Sequence, residues 1–163
     1  MQDILLKMLD VTLCLLVRKE QVSLGQKKSG FGQGNYNGYG GKPKGEESLE
    51  DAAVRELFEE TGVVACADYL QKRAELMFTF PHKPEWNQRV HVYELQTWEG
   101  EPAESTEMKP AWFSIDAVPY EKMWDADRHW MPLVLEGKYV KASFVYGENK
   151  EVLEMKVECS EKI

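Results

Sequence analysis

Residues 41–63 read GKPKGEESLEDAAVRELFEETGV. The spacing predicts a helix over Ser48–Thr61. Ser48 with Asp51 three residues on forms a capping-box-like start. Ala52, Ala53, Leu57 and Phe58 recur at helical spacing, and Gly62 stands where a left-handed residue ends a helix. Glu56, Glu59 and Glu60 then fall at i, i+3 and i+4, sharing one face with neighbouring Cβ atoms about 5–6 Å apart. Like charges so placed repel. Either water solvates an acidic face, with Arg55 offsetting part of the charge, or a cation belongs between the carboxylates.

Upstream lies GFGQGNYNGYGG, Gly30 to Gly41, with six glycines in twelve residues. That composition predicts a loop whose backbone turns through positive φ or approaches something closely. Before it, Asp10–Arg18 reads as a buried strand and Gln21–Gln26 as its hairpin partner. Downstream, Val63–Ala67, Ala74–Phe80, Arg89–Trp98 and Lys109–Ser114 are strand candidates. PHKPEWN is a turn, and Ser114-Ile115-Asp116 opens a helical turn. A second helix is expected over Glu121–Leu135, weakened by Pro132. Tyr139–Tyr146 and Val152–Glu158 form a terminal hairpin around GENK. The sum is one mixed α/β (α+β) domain over residues 1–163, with a mixed or largely antiparallel sheet and two main helices.

The 163 residues carry 20 basic and 28 acidic side chains, a net charge of −8. This excludes a general binder of polymeric nucleic acid, which needs a basic footprint. The 43% apolar and 29% charged fractions are those of a globular protein able to bury a core. Cys14, Cys66 and Cys159 form no CxxC pair and read as free thiols of a reducing compartment. Lys7 and Asp10 interrupt the N-terminal apolar run, so neither a signal peptide nor a membrane span is expected. The expected address is the cytoplasm, with the nucleus or mitochondrion as further compartments.

Hard oxygen donors without His or Cys suit Mg²⁺, with Mn²⁺ as the alternative, and Mg²⁺ sites commonly share the ion with substrate phosphates. An acidic cluster beside a glycine loop therefore predicts a phosphate-bearing substrate. Residues 41–63 match the pattern GX5EX7REUXEEXGU at every fixed position, and the chain is identified on this ground as resembling the Nudix hydrolase family. KKSGFGQGNYNGYGGK, EPAESTEMKPAWF and MWDADRHWMPLVL extend the similarity to its eukaryotic MutT-homologue branch, whose members act on oxidised purine nucleotides. The resemblance implies a Nudix α/β/α sandwich. It also implies Mg²⁺-dependent hydrolysis of oxidised purine nucleoside triphosphates (8-oxo-dGTP, 2-hydroxy-dATP type) to monophosphate and pyrophosphate, cleansing the nucleotide pool and so avoiding DNA damage.

The same resemblance implies roles. Glu56, Glu59, Glu60, the Gly40 carbonyl and Glu107 would hold the metal. Arg55 would orient the glutamates, and Glu59 or Glu107 would take a proton from water. Lys27 would lie near the phosphates, and Gly41 would bind substrate. Thr12, Phe31, Asn37, Phe78, Phe80, Trp124, Asp125 and Asp127 would surround the base. Two features depart from the family pattern. The spacing selects Glu47 as the first glutamate of the motif, whereas the Gly45-Glu46 step points to Glu46. The family's paired aspartates are represented by Ala126 and Asp127, which leaves a smaller donor and acceptor set unless Asp125 joins it.

Ala126 keeps open another nucleotide preference, such as an O6-methylated purine or an unmodified dNTP. A non-catalytic nucleotide-binding module is the reading from a different class, and the intact glutamate set argues against it. His82, His91 and His129 read as structural. The simplest expectation is a monomer acting on a small-molecule nucleotide, with neither membrane nor polymeric nucleic acid as partner.

Overall fold

The computed structural model describes residues 8–30 and 32–161. The helix expected from residues 48–61 is α1, Leu49–Thr61. Ser48 accepts a hydrogen bond from the Asp51 amide at 3.0 Å, and Gly62 ends the helix with φ 79°. Ala52, Ala53 and Leu57 are fully buried, while Phe58 stands out in solvent at 54% exposure. The apolar stripe is therefore narrower than the sequence suggested. Leu57 packs with Cys14, Leu16, Tyr39, Val63, Leu95 and Met108, a burial that contributes about 2 kcal/mol.

The strands are β1 (Leu9–Arg18), β2 (Gln21–Lys27), β3 (Tyr36–Asn37), β4 (Gln71–Thr79), β5 (Gln88–Leu95), β6 (Met108–Ser114), β7 (Tyr139–Tyr146) and β8 (Val152–Ser160). They form one mixed sheet in the order β3-β2-β1-β5-β4-β7-β8, with β6 also paired to β2. The pairs β1·β5 and β4·β7 are parallel and the others antiparallel. The second helix, α2, is Asp127–Leu135. It lies over the face opposite α1, on a core built from Leu13, Leu76, Val90, Trp130, Val134 and Phe144. Among the described residues this is a sheet between two helices, and none of those helices is long and apolar enough to cross a membrane.

Three expectations need correction. Val63–Ala67 is not a strand: Val64 makes one isolated bridge to Glu99, and Ala67–Tyr69 is a short 3-10 turn. The helix expected from Glu121 begins only at Asp127, after a separate 3-10 turn over Tyr120–Lys122. The glycine-rich stretch is not wholly loop. Tyr36–Asn37 pairs with β2, and Tyr39 bridges Cys14 of β1.

That last point positions the site. β2 pairs with β1 only over Leu16–Arg18; further along, that edge of β2 passes to β3, while β6 pairs with β2 along its whole length. The glycine-rich segment fills the space so opened. The Tyr39 carbonyl accepts from the Cys14 amide and the Gly41 carbonyl from the Thr12 amide. A Cβ on Gly40 would collide with the Thr12 carbonyl, so the close approach of these backbones requires glycine there.

Candidate active site

α1 presents its glutamates to this segment. Glu60 is buried at 8% exposure and accepts the Gly40 amide at 3.0 Å. Burial, then the nearby Glu56 carboxylate, pushes the Glu60 carboxyl up to about 8, against the opposing pull of the Gly40 amide. The Glu56 carboxyl is also raised, chiefly by burial, against the pull of Arg55. Glu107, on the exposed loop before β6, adds its charge to both. The same burial raises the Cys14 thiol behind Glu60 to about 12, so that this cysteine is an inert neutral neighbour.

Arg55 organises the cluster from outside. Its Nε and Nη2 donate to the two oxygens of Glu47 at 2.8 and 2.9 Å. Nη2 also donates to the Lys42 carbonyl at 3.0 Å, and Nη1 to Glu59 at 3.2 Å with Glu56 at 3.3 Å. The guanidinium, together with the Lys44 amide, draws the Glu47 carboxyl down to about 2. Glu47, and not Glu46, is thus the partner of Arg55, which the sequence left open. A Cβ on Gly41 would collide with the Glu56 carboxylate.

The donor set suits a divalent cation. Oxygen ligands alone, two of them raised in pKa by burial and mutual repulsion, are what a hard cation relieves. In the conformation described, no three His, Cys, Asp or Glu side chains among the described residues close on one point. Glu60 is held by the Gly40 amide and Glu59 by Arg55. The residues fit such an ion by chemistry, with the Gly40 amide engaging Oε1 of Glu60.

From Glu60 a cleft of about 220 Å³ runs to the α2 face of the sheet. Thr12, Lys27, Asn37, Gly40, Gly41, Phe78, Phe80, Trp124 and Asp127 line it as well as Glu60. Phe80 stacks on Tyr146 at 5.1 Å, with planes 7° apart, and Trp124 stands edge-on to Tyr146 at 5.5 Å. At the far end Asp127 is 4% exposed. Its Oδ1 accepts from Trp130 Nε1 at 3.0 Å, and its Oδ2 is buried with no partner among the described residues. Burial pushes this carboxyl up to about 7. A buried carboxyl oxygen without a direct partner, in a residue that lines a cleft, is a place where a ligand completes the hydrogen bonding.

Some expected residues do not meet there. Phe31 lies outside the described residues. Glu56, Glu59, Glu107 and Arg55 stand beyond the cleft's lining, around its Glu60 end. Asp125 is absent from the lining: its Oδ2 accepts from the Val152 amide at 2.9 Å and its Oδ1 faces Arg128 Nε at 3.4 Å. The chain turns into α2 at this point, so consecutive side chains leave in different directions. The three histidines do not line the cleft; His91 is held between Lys72 at 2.9 Å and Asp10 at 3.0 Å. Sequence reasoning missed Gln88, Trp130 and Tyr146 in the lining. Strand parity was the usable signal, since Gln88 shares a face with core residues Val90 and Val92, and Tyr146 with Phe144.

Known proteins resemble this chain over most of its length. It is 42% identical over 148 residues to the oxidized purine nucleoside triphosphate hydrolase of Danio rerio, covering 91% of this chain and 93% of the relative. It is 39% identical over 142 residues to the mouse protein of the same name, covering 87% and 89%. Its fold superposes on the crystal structure of a mutator MutT protein from Bacillus halodurans with a TM-score of 0.78 at 26% identity, covering 91% and 97%. With the NUDIX domain model matching residues 7–134, which span β1 to β6, the glycine-rich segment and the glutamate helix, the chain belongs to the Nudix hydrolase family.

Proposed function

We propose that the protein hydrolyses oxidised purine nucleoside triphosphates to the monophosphate and pyrophosphate, with Mg²⁺ or Mn²⁺, and so cleanses the nucleotide pool of the compartment it occupies. The observation that carries this is a single cleft joining the buried carboxylate Glu60 to the unpartnered carboxyl oxygen of Asp127. Its length links a polyphosphate end to a base end, and the named activity of its relatives fits both.

Glu56, Glu59, Glu60, Glu107 and the Gly40 carbonyl would hold the cation. When bound, it supplies charge neutralisation on the phosphate oxygens and activation of water. Arg55 fixes Glu59 by a charge-assisted hydrogen bond and Glu56 by an ion pair. Lys27 approaches the phosphates from β2. Glu59, exposed, or Glu107 takes the proton of the attacking water. At the other end Trp124, Phe78 and Phe80 supply apolar walls, and Asn37 and Asp127 read the purine edge. A protonated Asp127 donates and an ionised one only accepts.

Ala126, fully buried and lacking a polar side chain, favours a second reading in which the preferred nucleotide differs. An O6-methylated purine or an unmodified dNTP is then the substrate. The test is released pyrophosphate from a panel of oxidised, methylated and normal nucleotides with Mg²⁺, repeated with Glu56→Gln. Turnover of oxidised purines first, lost in the variant, is expected. Equal or better turnover of the others would move the function to the second reading.

A further inference from the structure

The wall Trp124-Asp125-Ala126-Asp127 is held from the edge of the sheet by one rung of the terminal hairpin. Tyr146 and Val152 are cross-strand partners at the loop end of β7·β8, where the register shifts. Tyr146 Oη accepts from the Ala126 amide at 3.0 Å, and the Val152 amide donates to Asp125 Oδ2 at 2.9 Å. In the intervening loop, Lys150 places its ammonium 5.6 Å from the Trp124 ring centroid, from a backbone with φ 64°. Two consecutive wall residues are thus gripped by two partnered hairpin residues, and the aromatic residue before them is covered by the same loop.

We propose that Asp125 is a positioning residue for base recognition, tying the wall that carries Trp124 and Asp127 to the terminal hairpin. This rests on reading the cleft as a purine-nucleotide site. Asp125 has a carboxyl oxygen committed to a backbone donor, and its neighbour Ala126 is tied to the hairpin by its backbone amide alone. Removing that oxygen leaves the Val152 amide without its acceptor and the wall with one hydrogen bond to the hairpin in place of two. The glutamate helix lies on the other face of the sheet, so the loss is felt in binding and not in the phosphate chemistry.

The test compares Asp125→Ala with Asp125→Asn, which keeps an acceptor oxygen and loses the charge. Calorimetry with a purine nucleoside monophosphate reads the cleft directly, and KM and kcat are read with the preferred triphosphate. Asp125→Ala is expected to weaken monophosphate binding and raise KM about three- to tenfold with kcat within about twofold, the effect of one hydrogen bond. Asp125→Asn is expected to restore both. In the ligand-free protein, amide exchange at Val152 is expected to accelerate in the alanine variant only. Unchanged binding in Asp125→Ala, an asparagine variant as impaired as the alanine one, or a parallel fall of kcat in both would each overturn the proposal. A protein that binds the monophosphate in this pattern but cleaves no oxidised triphosphate would keep it and lose the proposed substrate.

Discussion

Arg55 grips Glu47 with two parallel hydrogen bonds, at 2.8 and 2.9 Å, across eight residues and from helix to loop. The same guanidinium reaches Glu56 and Glu59, so one planar group fixes the loop and two glutamates at once. Lysine keeps the charge but not the fork. Under the proposed role of these glutamates in holding the cation, Arg55→Lys is expected to lower kcat/KM about 10- to 100-fold, the usual cost of losing support behind metal-holding groups. Glu47→Gln should follow it, and Glu46→Gln should leave activity unchanged. Steady-state kinetics on the three variants checks this; an inactive Glu46→Gln would refute it.

Gly40 and Gly41 fail differently when given a side chain. A Cβ on Gly40 meets the backbone carbonyl of Thr12, which cannot move without disturbing β1; on Gly41 it meets only the side-chain end of Glu56. Gly40→Ala is expected to destabilise the fold by about 3 kcal/mol or more, since the strain falls on packed backbone. Gly41→Ala is expected to fold normally and lose activity, because Glu56 must leave its place. Denaturant melts beside activity assays separate the two.

How much of this was legible follows from where each signal lies along the chain. The period, cap and stop of α1 all sit within fifteen residues, Ser48 to Gly62, and the helix was read correctly from them. The glutamate face came with it. Val63–Ala67 has strand-like side chains, but a strand needs a partner, and only Val64 finds one, in Glu99. The sheet pairing of Tyr36, Asn37 and Tyr39 was hidden because β1 and β2 supply it from outside the glycine-rich segment. Asp125 could not be distinguished from Asp127, since its partner Val152 lies 27 residues further on.

Lys28 holds the loop that carries Glu107. Its Nζ donates to the Ser105 carbonyl at 2.7 Å and pairs with Glu104, while its amide donates to the Glu107 carbonyl at 3.0 Å. Ser105 Oγ accepts in turn from the Glu107 and Met108 amides. If Glu107 acts at the phosphate end, Lys28→Ala should cost about fivefold in kcat, the worth of one such bond, with KM nearly unchanged. Lys28→Arg should restore it. A rise in KM alone would show that the lysine serves substrate binding instead.

Asp127 links stability, pH and recognition. Its folded pKa is raised from 3.8 to about 7, chiefly by burial, with the Trp130 indole and then the Trp124 backbone opposing. A raised folded value means that the folded state holds the proton more tightly than the unfolded one. Stability from this group is therefore fullest below pH 3.8, falls as the pH climbs toward 7, and is level above that. Each tenfold gain in proton affinity is worth about 1.4 kcal/mol, so the cost at pH 8 amounts to roughly a few kcal/mol. Asparagine keeps an oxygen for Trp130 and carries no charge. Asp127→Asn is accordingly expected to melt at a higher temperature than the parent at pH 8, with the gap closing by pH 4. A gap independent of pH would show that the carboxyl does not ionise in this range. Under the proposed role of Asp127 in reading the base, the variant should also bind purine nucleotides with altered base preference and little pH dependence near 7, because the group that exchanges donor for acceptor has been fixed in one state.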